Sequence, residues 1–330
     1  MEKELLTLIQ KEFPVTKRPF AHLANELGVT EEEVLDTYRK LKEERIIRQT
    51  SAIFDTKSLG YRSSLVAFQV DDIEKAAAFV NTHPGVSHNY ERDHDFNLWF
   101  TIAVEPDSRL GLEKTVALMA QRTNAKEYII LPTKKMFKIQ VQLDVAGKKS
   151  KKEKVTKKKK IDFELEPVHY KLIKELQEDI EPVAEPFEKI VQKLGLSYEE
   201  LQQEVQRLQD GGYMRRFASI LYHRKAGFNA NAMVVWSVDE EKAQEIGQKV
   251  AEFSAVSHCY LRPTYPNWPY PLFSMIHGKS KEEVEAVVKE IEAEIAPKEY
   301  RYLYSTREFK KQRIRYFSDA FKEWEQQYGG

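Results

Sequence analysis

Residues 86–92 read Val86-Ser87-His88-Asn89-Tyr90-Glu91-Arg92, and residues 256–262 read Val256-Ser257-His258-Cys259-Tyr260-Leu261-Arg262. Valine, serine, histidine, tyrosine and arginine recur at one spacing. Upstream, Ile47-Arg48-Gln49-Thr50-Ser51-Ala52-Ile53-Phe54 matches Met214-Arg215-Arg216-Phe217-Ala218-Ser219-Ile220-Leu221, and Lys57-Ser58-Leu59-Gly60-Tyr61 matches Arg224-Lys225-Ala226-Gly227-Phe228. Order and spacing hold over roughly 140 residues, so the chain is a diverged tandem duplication. Between the halves, residues 147–161 include GKKSKKEKVTKKKK, which has almost nothing to bury and reads as a solvated spacer.

Each half opens with helices. In the first, residues 2–11 form one and 19–27 a second, which Gly28 stops. Thr30 caps a third, with Glu33 three residues on as a capping box and Val34, Tyr38 and Leu41 as its buried stripe. The second half repeats this at 169–177 and at 186–194 with Gly195, then Ser197 as cap and Glu200 in the box position. These are two helix-turn-helix domains, 1–50 and 162–216. Each half continues in the order strand, helix, strand, strand, helix, strand. The first runs 64–70, 73–82, 86–92, 97–104, 110–122 and strand material within 128–142. The second runs 232–238, 242–253, 256–262, 272–277, 281–295 and 300–304. The fold class is therefore α+β, with a ferredoxin-like βαββαβ domain at 51–146 and another at 217–317. Residues 318–330 read as a C-terminal tail, and the arginine- and aromatic-rich segment 299–328 as a terminal surface helix. The two sheets are expected to pair within the chain, with a homodimer of the fused chain left open.

At 330 residues and 42% hydrophobic the chain has material for several cores. No apolar run reaches the roughly 18–20 residues that cross a bilayer. The N-terminus lacks the pattern of a signal peptide, so no membrane partner and a cytoplasmic location are expected. One cysteine, Cys259, excludes an internal disulfide framework. The zero net charge is uneven: residues 148–160 hold nine lysines and one glutamate, which leaves 43 basic and 51 acidic residues elsewhere. Both candidate recognition helices start acidic. One begins Thr30-Glu31-Glu32-Glu33-Val34-Leu35-Asp36 and the other Ser197-Tyr198-Glu199-Glu200, with no base before Arg39 or Arg207. Acids suit a helix N-terminus but repel phosphate, so DNA is not expected as a partner.

Strand alternation puts His258, Tyr260 and Arg262 on one face and Ser257, Cys259 and Leu261 on the other, which separates Cys259 from His258 as a nucleophilic pair. His88, Tyr90 and Arg92 form the equivalent face. After Arg262, prolines 263, 266, 269 and 271 interleave with Tyr265, Trp268 and Tyr270 in a stiff aromatic loop. The first half has only Asp93-His94-Asp95-Phe96 there. His277-Gly278 ends a strand and reads as structural, and Trp99 and Trp236 read as core. Histidine, tyrosine and arginine under an aromatic loop suit a large, flat, anionic ligand.

A helix-turn-helix joined to a ferredoxin-like domain resembles the Lrp/AsnC family. More specifically, HCYLRPTYPNWPYPLFSMIHG in the second half and GVSHNYERDHDFNLWFT in the first resemble siroheme decarboxylases, Lrp/AsnC-like proteins that do not regulate transcription, here with both subunits fused. The resemblance implies loss of CO2 from the C12 and C18 acetates of siroheme to give 12,18-didecarboxysiroheme, on the way to haem or haem d1. The iron tetrapyrrole is then the substrate, and no separate cofactor is expected. It implies His258, His88 and His223 as catalytic candidates, with His258 as ligand of the substrate iron or proton donor and His223 as a second iron-ligand candidate. Arg262, Arg92, Arg215, Arg216 and Arg48 would hold carboxylates, while Tyr260, Tyr265, Trp268 and Tyr270 would line the macrocycle. The competing reading is a tetrapyrrole-responsive regulator of the Lrp/AsnC type.

Overall fold

The computed structural model describes residues 1–139, 161–222 and 230–330. The chain forms two compact units, each built from both halves.

The first unit holds α1 (Glu2–Lys11), α2 (Pro19–Leu27), α3 (Glu31–Glu43) and β1 (Ile47–Phe54) from the first half. From the second it holds α6 (Pro167–Leu176), α7 (Glu188–Leu194), α8 (Tyr198–Asp210) and β7 (Met214–Leu221). Gly28 ends α2 at φ +68° and Gly195 ends α7 at φ +65°, the left-handed region that glycine enters without strain. Thr30 and Ser197 then cap α3 and α8. In the first box the Glu33 amide donates to Thr30 Oγ1 at 3.3 Å and the Thr30 amide to Glu33 Oε2 at 2.8 Å. In the second the Glu200 amide donates to Ser197 Oγ at 3.1 Å and the Ser197 amide to Glu200 Oε2 at 2.7 Å. One acid at the start of each helix is thus a capping group. Strands β1 and β7 pair antiparallel, with Thr50 opposite Ser219. Their hydroxyls hydrogen-bond at 2.5 Å, and Tyr38 Oη meets Thr50 Oγ1 at 2.6 Å.

The second unit holds two five-stranded antiparallel sheets. From the first half come β2 (Arg62–Gln69), α4 (Ile73–Asn81), β3 (Val86–Arg92), β4 (Leu98–Val104), α5 (Gly111–Arg122), β5 (Glu127–Leu131) and β6 (Lys135–Ile139). From the second come β8 (Ala230–Ser237), α9 (Ala243–Glu252), β9 (Val256–Leu261), β10 (Leu272–Gly278), α10 (Lys281–Ile295), β11 (Glu299–Leu303), β12 (Ser305–Lys311) and α11 (Ala320–Tyr328). The sheet orders are β12-β3-β4-β2-β5 and β11-β8-β10-β9-β6. In each, four strands take the ferredoxin-like order and the fifth comes from the other half. Strand β6 pairs with β9, Ile139 opposite His258, and β12 pairs with β3, Lys311 opposite His88. This exchange lies beyond the sequence reading, in which 135–139 belongs to the strand material of its own half and 305–311 to a terminal helix.

Helices α4 and α5 cover one face of the first sheet, over Val66, Phe68, Phe100 and Ile102, and α9 and α10 cover the second over Val234, Trp236, Leu272 and Ile276. The helix-free faces share one core, in which Ala67, Trp99, Ile129 and Leu131 meet Val235, Trp268, Phe273 and Leu303. The expected pairing of the two sheets within one chain is present. Segment 299–328 is not one surface helix. It is two strands and a helix, and Phe321 and Trp324 of α11 are buried against first-half elements. The lysine-rich stretch falls outside the described residues. Among the described residues, no helix is long and apolar enough to cross a membrane.

Candidate active site

The histidine strands sit beside the exchanged edge of each sheet. In β9 the pairing with β10 slips: His258 is opposite Met275, but Val256 is opposite Ile276, so Ser257 is the extra residue of a bulge. In β3 the same slip leaves Ser87 extra between Val86 and His88. A bulge breaks period-2 alternation locally. It corrects the expectation that Ser257 points away from His258: Ser257 Oγ lies 2.7 Å from His258 Nδ1, and Ser87 Oγ lies 2.9 Å from His88 Nδ1. Each serine hydroxyl engages Nδ1 and fixes its ring, and in His258 that points to Nε2 as the working atom.

Past the bulge the alternation holds. His258 and Tyr260 share a face, their rings 6.1 Å apart, and His88 and Tyr90 stack at 6.2 Å. Tyr260 packs against the core shared by the two sheets. Cys259 points the opposite way, is buried among the helix-side core and donates to the Gly247 carbonyl at 3.6 Å; burial pushes its thiol up to about 12. His258 is partly exposed. Burial, and secondarily His277, lower its pKa below the ordinary imidazole value. Burial pushes Tyr90 up to about 12, aided by Glu308 of the exchanged strand.

The two arginines are placed alike, Arg92 buried and Arg262 partly exposed. Arg92 is 7% exposed and donates through Nη1 to the Leu303 carbonyl at 2.5 Å, while its guanidinium lies over Tyr90 and Trp99. Arg262 donates through Nη1 to the Leu131 carbonyl at 2.5 Å and lies over Tyr260 and Phe273. Each thus ties its strand to the last ferredoxin-like strand of the other half. Burial lowers both to about 10, so both stay cationic at neutral pH. Among the described residues neither Nε has a hydrogen-bond partner.

The proline-rich loop turns inward rather than forming an open aromatic wall. Tyr265 and Trp268 exchange two backbone hydrogen bonds of 2.9 Å, and Tyr265 Oη donates to the Ile130 carbonyl at 2.6 Å. Trp268 is fully buried, 5.2 Å from the Trp99 ring and 5.0 Å from Tyr270. Tyr270 is 5% exposed and accepts from Arg301 Nε at 3.2 Å. These two side chains fill the core between the sheets, and only Tyr265 keeps partial exposure. In the first half, His94 and Phe96 of the short loop pack on the same Trp268 ring.

Arg48, Arg215 and Arg216 belong to the other compact unit, on β1 and β7. Arg215 is exposed and pairs with Asp55 at 2.8 Å. Burial would raise the Asp55 carboxyl, but the Ser58 amide and Arg215 together hold it below its usual range. Arg216 is half-buried, which lowers its pKa. His223 lies outside the described residues.

One residue read as structural joins the site. His277 of β10 lies with Nε2 at 2.7 Å from Ser257 Oγ. Its position on the strand matches Ala103 of β4: the His277 amide donates to the Ala255 carbonyl as the Ala103 amide does to Gly85. The doubled serine-histidine signal was visible in the sequence, but the bulge that turns Ser257 toward both rings was not. Among the described residues, no group of three or more His, Cys, Asp or Glu is arranged to hold a metal ion.

The architecture is that of an Lrp/AsnC-like protein doubled in one chain. The model of the AsnC-like ligand binding domain matches residues 58–138 and 225–310, and that of the siroheme decarboxylase NirDL-like HTH domain matches residues 2–48 and 170–215. A siroheme decarboxylase of Hydrogenobacter thermophilus is 44% identical over 323 residues, covering 97% of this chain and 96% of that one. A crystal structure of the siroheme decarboxylase NirDL aligns with a TM-score of 0.80 at 39% identity over 99% of this chain and 97% of that one. A second, in complex with an iron-uroporphyrin III analogue, aligns equally well over 99% and 98%. The chain belongs to the siroheme decarboxylase family, with both subunits fused.

Proposed function

We propose that this chain is a carboxy-lyase acting on siroheme, and that the second-half site, with His258 as proton donor, carries the chemistry. The full-length likeness to siroheme decarboxylases carries the reaction class, and a relative's complex with an iron-uroporphyrin analogue supports an iron tetrapyrrole as substrate. In each round the bond between an acetate methylene and its carboxylate breaks, CO2 leaves, and the electron pair stays on the methylene carbon, delocalised into the macrocycle. One proton then completes the methyl group. Two rounds, at C12 and C18, release two CO2 and consume two protons, with no net oxidation or reduction. The macrocycle supplies the electron sink, so the protein has to bind, desolvate and protonate.

His258 suits the last task. Its Nδ1 is engaged by Ser257, which fixes the ring and directs Nε2 away from the bulge, on the face that also carries Tyr260 and the partly buried cation of Arg262. Arg262 and Arg92 keep that face cationic against substrate carboxylates while remaining tied to the backbone. Trp268 and Tyr270 act by filling the core beneath rather than by touching the ring system. The test is anaerobic incubation of the full chain with siroheme and mass spectrometry of the extracted tetrapyrrole. Loss of one and then two CO2 is expected. A spectral shift on binding with unchanged mass would overturn the assignment in favour of a tetrapyrrole-binding regulator.

A further inference from the structure

In the second-half site a second histidine stands behind the serine, at the position that Ala103 holds in the first half. Ser257 Oγ stands 2.7 Å from His258 Nδ1, 2.7 Å from His277 Nε2 and 3.4 Å from the Met275 carbonyl. A serine hydroxyl has a single proton to donate and accepts on its lone pairs. With both imidazoles at equal distance, the chain His277–Ser257–His258 has two polarities in which a proton line runs from end to end. In one, His277 Nε2–H donates to Ser257, Ser257 donates to His258 Nδ1, and His258 carries its proton on Nε2. In the other, every bond is reversed and His258 Nε2 is bare. A third polarity, in which both rings donate to Ser257 and Ser257 donates to the Met275 carbonyl, uses the longer contact of 3.4 Å. The first half has Ser87 and His88 in the same bulge, but Ala103 in place of the second histidine.

We propose that His277 is a positioning residue that acts through Ser257 to hold His258 as its Nε2–H tautomer and to replace, at Nδ1, the proton that Nε2 gives up. This deepens the proposed function and rests on it for the identity of the proton acceptor. In the step, His258 Nε2 gives its proton to the methylene carbon. The Ser257 proton moves to His258 Nδ1, the His277 Nε2 proton moves to Ser257, and solvent supplies one proton at the partly exposed His277 end. The sum is one solvent proton consumed per CO2 released. His258 stays a neutral imidazole before and after, so it donates without first being charged in a half-buried place. The polarity resets when His258 Nε2 takes up a proton and His277 loses one.

The experiment compares the full chain with His277→Ala, which copies the first half, and with Ser257→Ala and Ser257→Thr. Siroheme binding, read by absorbance titration, is expected to stay within about twofold in all four. The rate of CO2 loss from bound siroheme is expected to fall by about 100-fold in His277→Ala and Ser257→Ala, the scale of a displaced general acid, and to recover in Ser257→Thr, which keeps the hydroxyl. Nitrogen-15 NMR of the histidine rings gives a readout that needs no turnover: His258 is expected as the Nε2–H tautomer in the native chain and as a mixture in His277→Ala. Native CO2 loss in His277→Ala, or an unchanged His258 tautomer there, overturns the proposal. A native chain that leaves siroheme intact but shows the tautomer change refutes the proposed function while supporting the positioning role.

Discussion

Strands β3 and β9 began as one sequence and share a bulge, a serine-anchored histidine, a nearby tyrosine and an arginine that reaches across to the other half. Within the strands Asn89 stands against Cys259 and Glu91 against Leu261, and two further differences bear on the site: the position behind the serine and the loop after the arginine. Behind Ser257 is His277, and behind Ser87 is Ala103. After Arg262 comes the proline-rich loop with Trp268, and after Arg92 comes a short turn whose His94 and Phe96 pack on that same tryptophan. Of the shared features the arginines tie the two sheets together and the serine-anchored histidine is present in both, whereas the unshared ones bear on proton supply and on one half plugging the other. Duplication therefore preserved the frame twice and left one copy with the fuller acid–base equipment.

The largest stability effect is expected where the halves meet. Trp268→Ala removes the ring against which Trp99, Phe96 and Tyr270 pack, and should cost about 3–5 kcal/mol, read as a lowered unfolding midpoint of the second unit. His94→Ala, on the half-buried rim of the same contact, should cost less than half as much. Equal losses would mean that the loop does not act as a plug.

This contact also marks where the sequence stopped being legible. The bounds of α1, α2, β3 and α10 match the sequence reading, because glycine stops, capping boxes and apolar periodicity act within a few residues of the elements they set. The capping boxes at Thr30 and Ser197 are present as read. Strand exchange was not legible, since Lys135–Ile139 and Ser305–Lys311 find their hydrogen-bond partners more than 100 residues away in sequence. The loop from Pro263 to Pro271 read as a ligand wall because proline and aromatic content reveals stiffness, not direction. The arginines read as carboxylate clamps, and a lone sequence does not show that each also reaches a backbone carbonyl of the other half 2.5 Å away.

A second difference between the halves concerns pH. His83, after α4, is buried against Trp324, accepts from the Gly85 amide at 3.0 Å, and is pushed down to about 3 by burial and, to a lesser degree, by Lys310. The equivalent residue of the second half is Phe253. Between pH 6.5 and 3 the unfolded chain binds the proton and the folded chain does not. Stability therefore falls as pH drops through that window, by about 1.4 kcal/mol per pH unit from this one group. His83→Phe should lose a little stability at pH 7, with the Gly85 hydrogen bond, yet reduce the drop between pH 7 and 5 by about 2 kcal/mol, read from thermal melts. An unchanged drop would mean that His83 is protonated in the folded chain.

The smallest effect is one in which the halves should agree. Thr30→Ala and Ser197→Ala each remove an N-cap of the same geometry, and each should cost about 1 kcal/mol in chemical denaturation of the first unit. A clear difference would show that one helical domain leans more heavily on its neighbours than the other.

The most direct test of unequal sites is a pair of single variants, His258→Ala and His88→Ala, each incubated anaerobically with siroheme and tracked by mass spectrometry over time. His88→Ala is expected to remove both CO2 within about tenfold of the native rate, whereas His258→Ala should slow both losses by at least about 100-fold. Native-like decarboxylation by His258→Ala, with loss of activity in His88→Ala, would place the chemistry in the first half and contradict the assignment to the second.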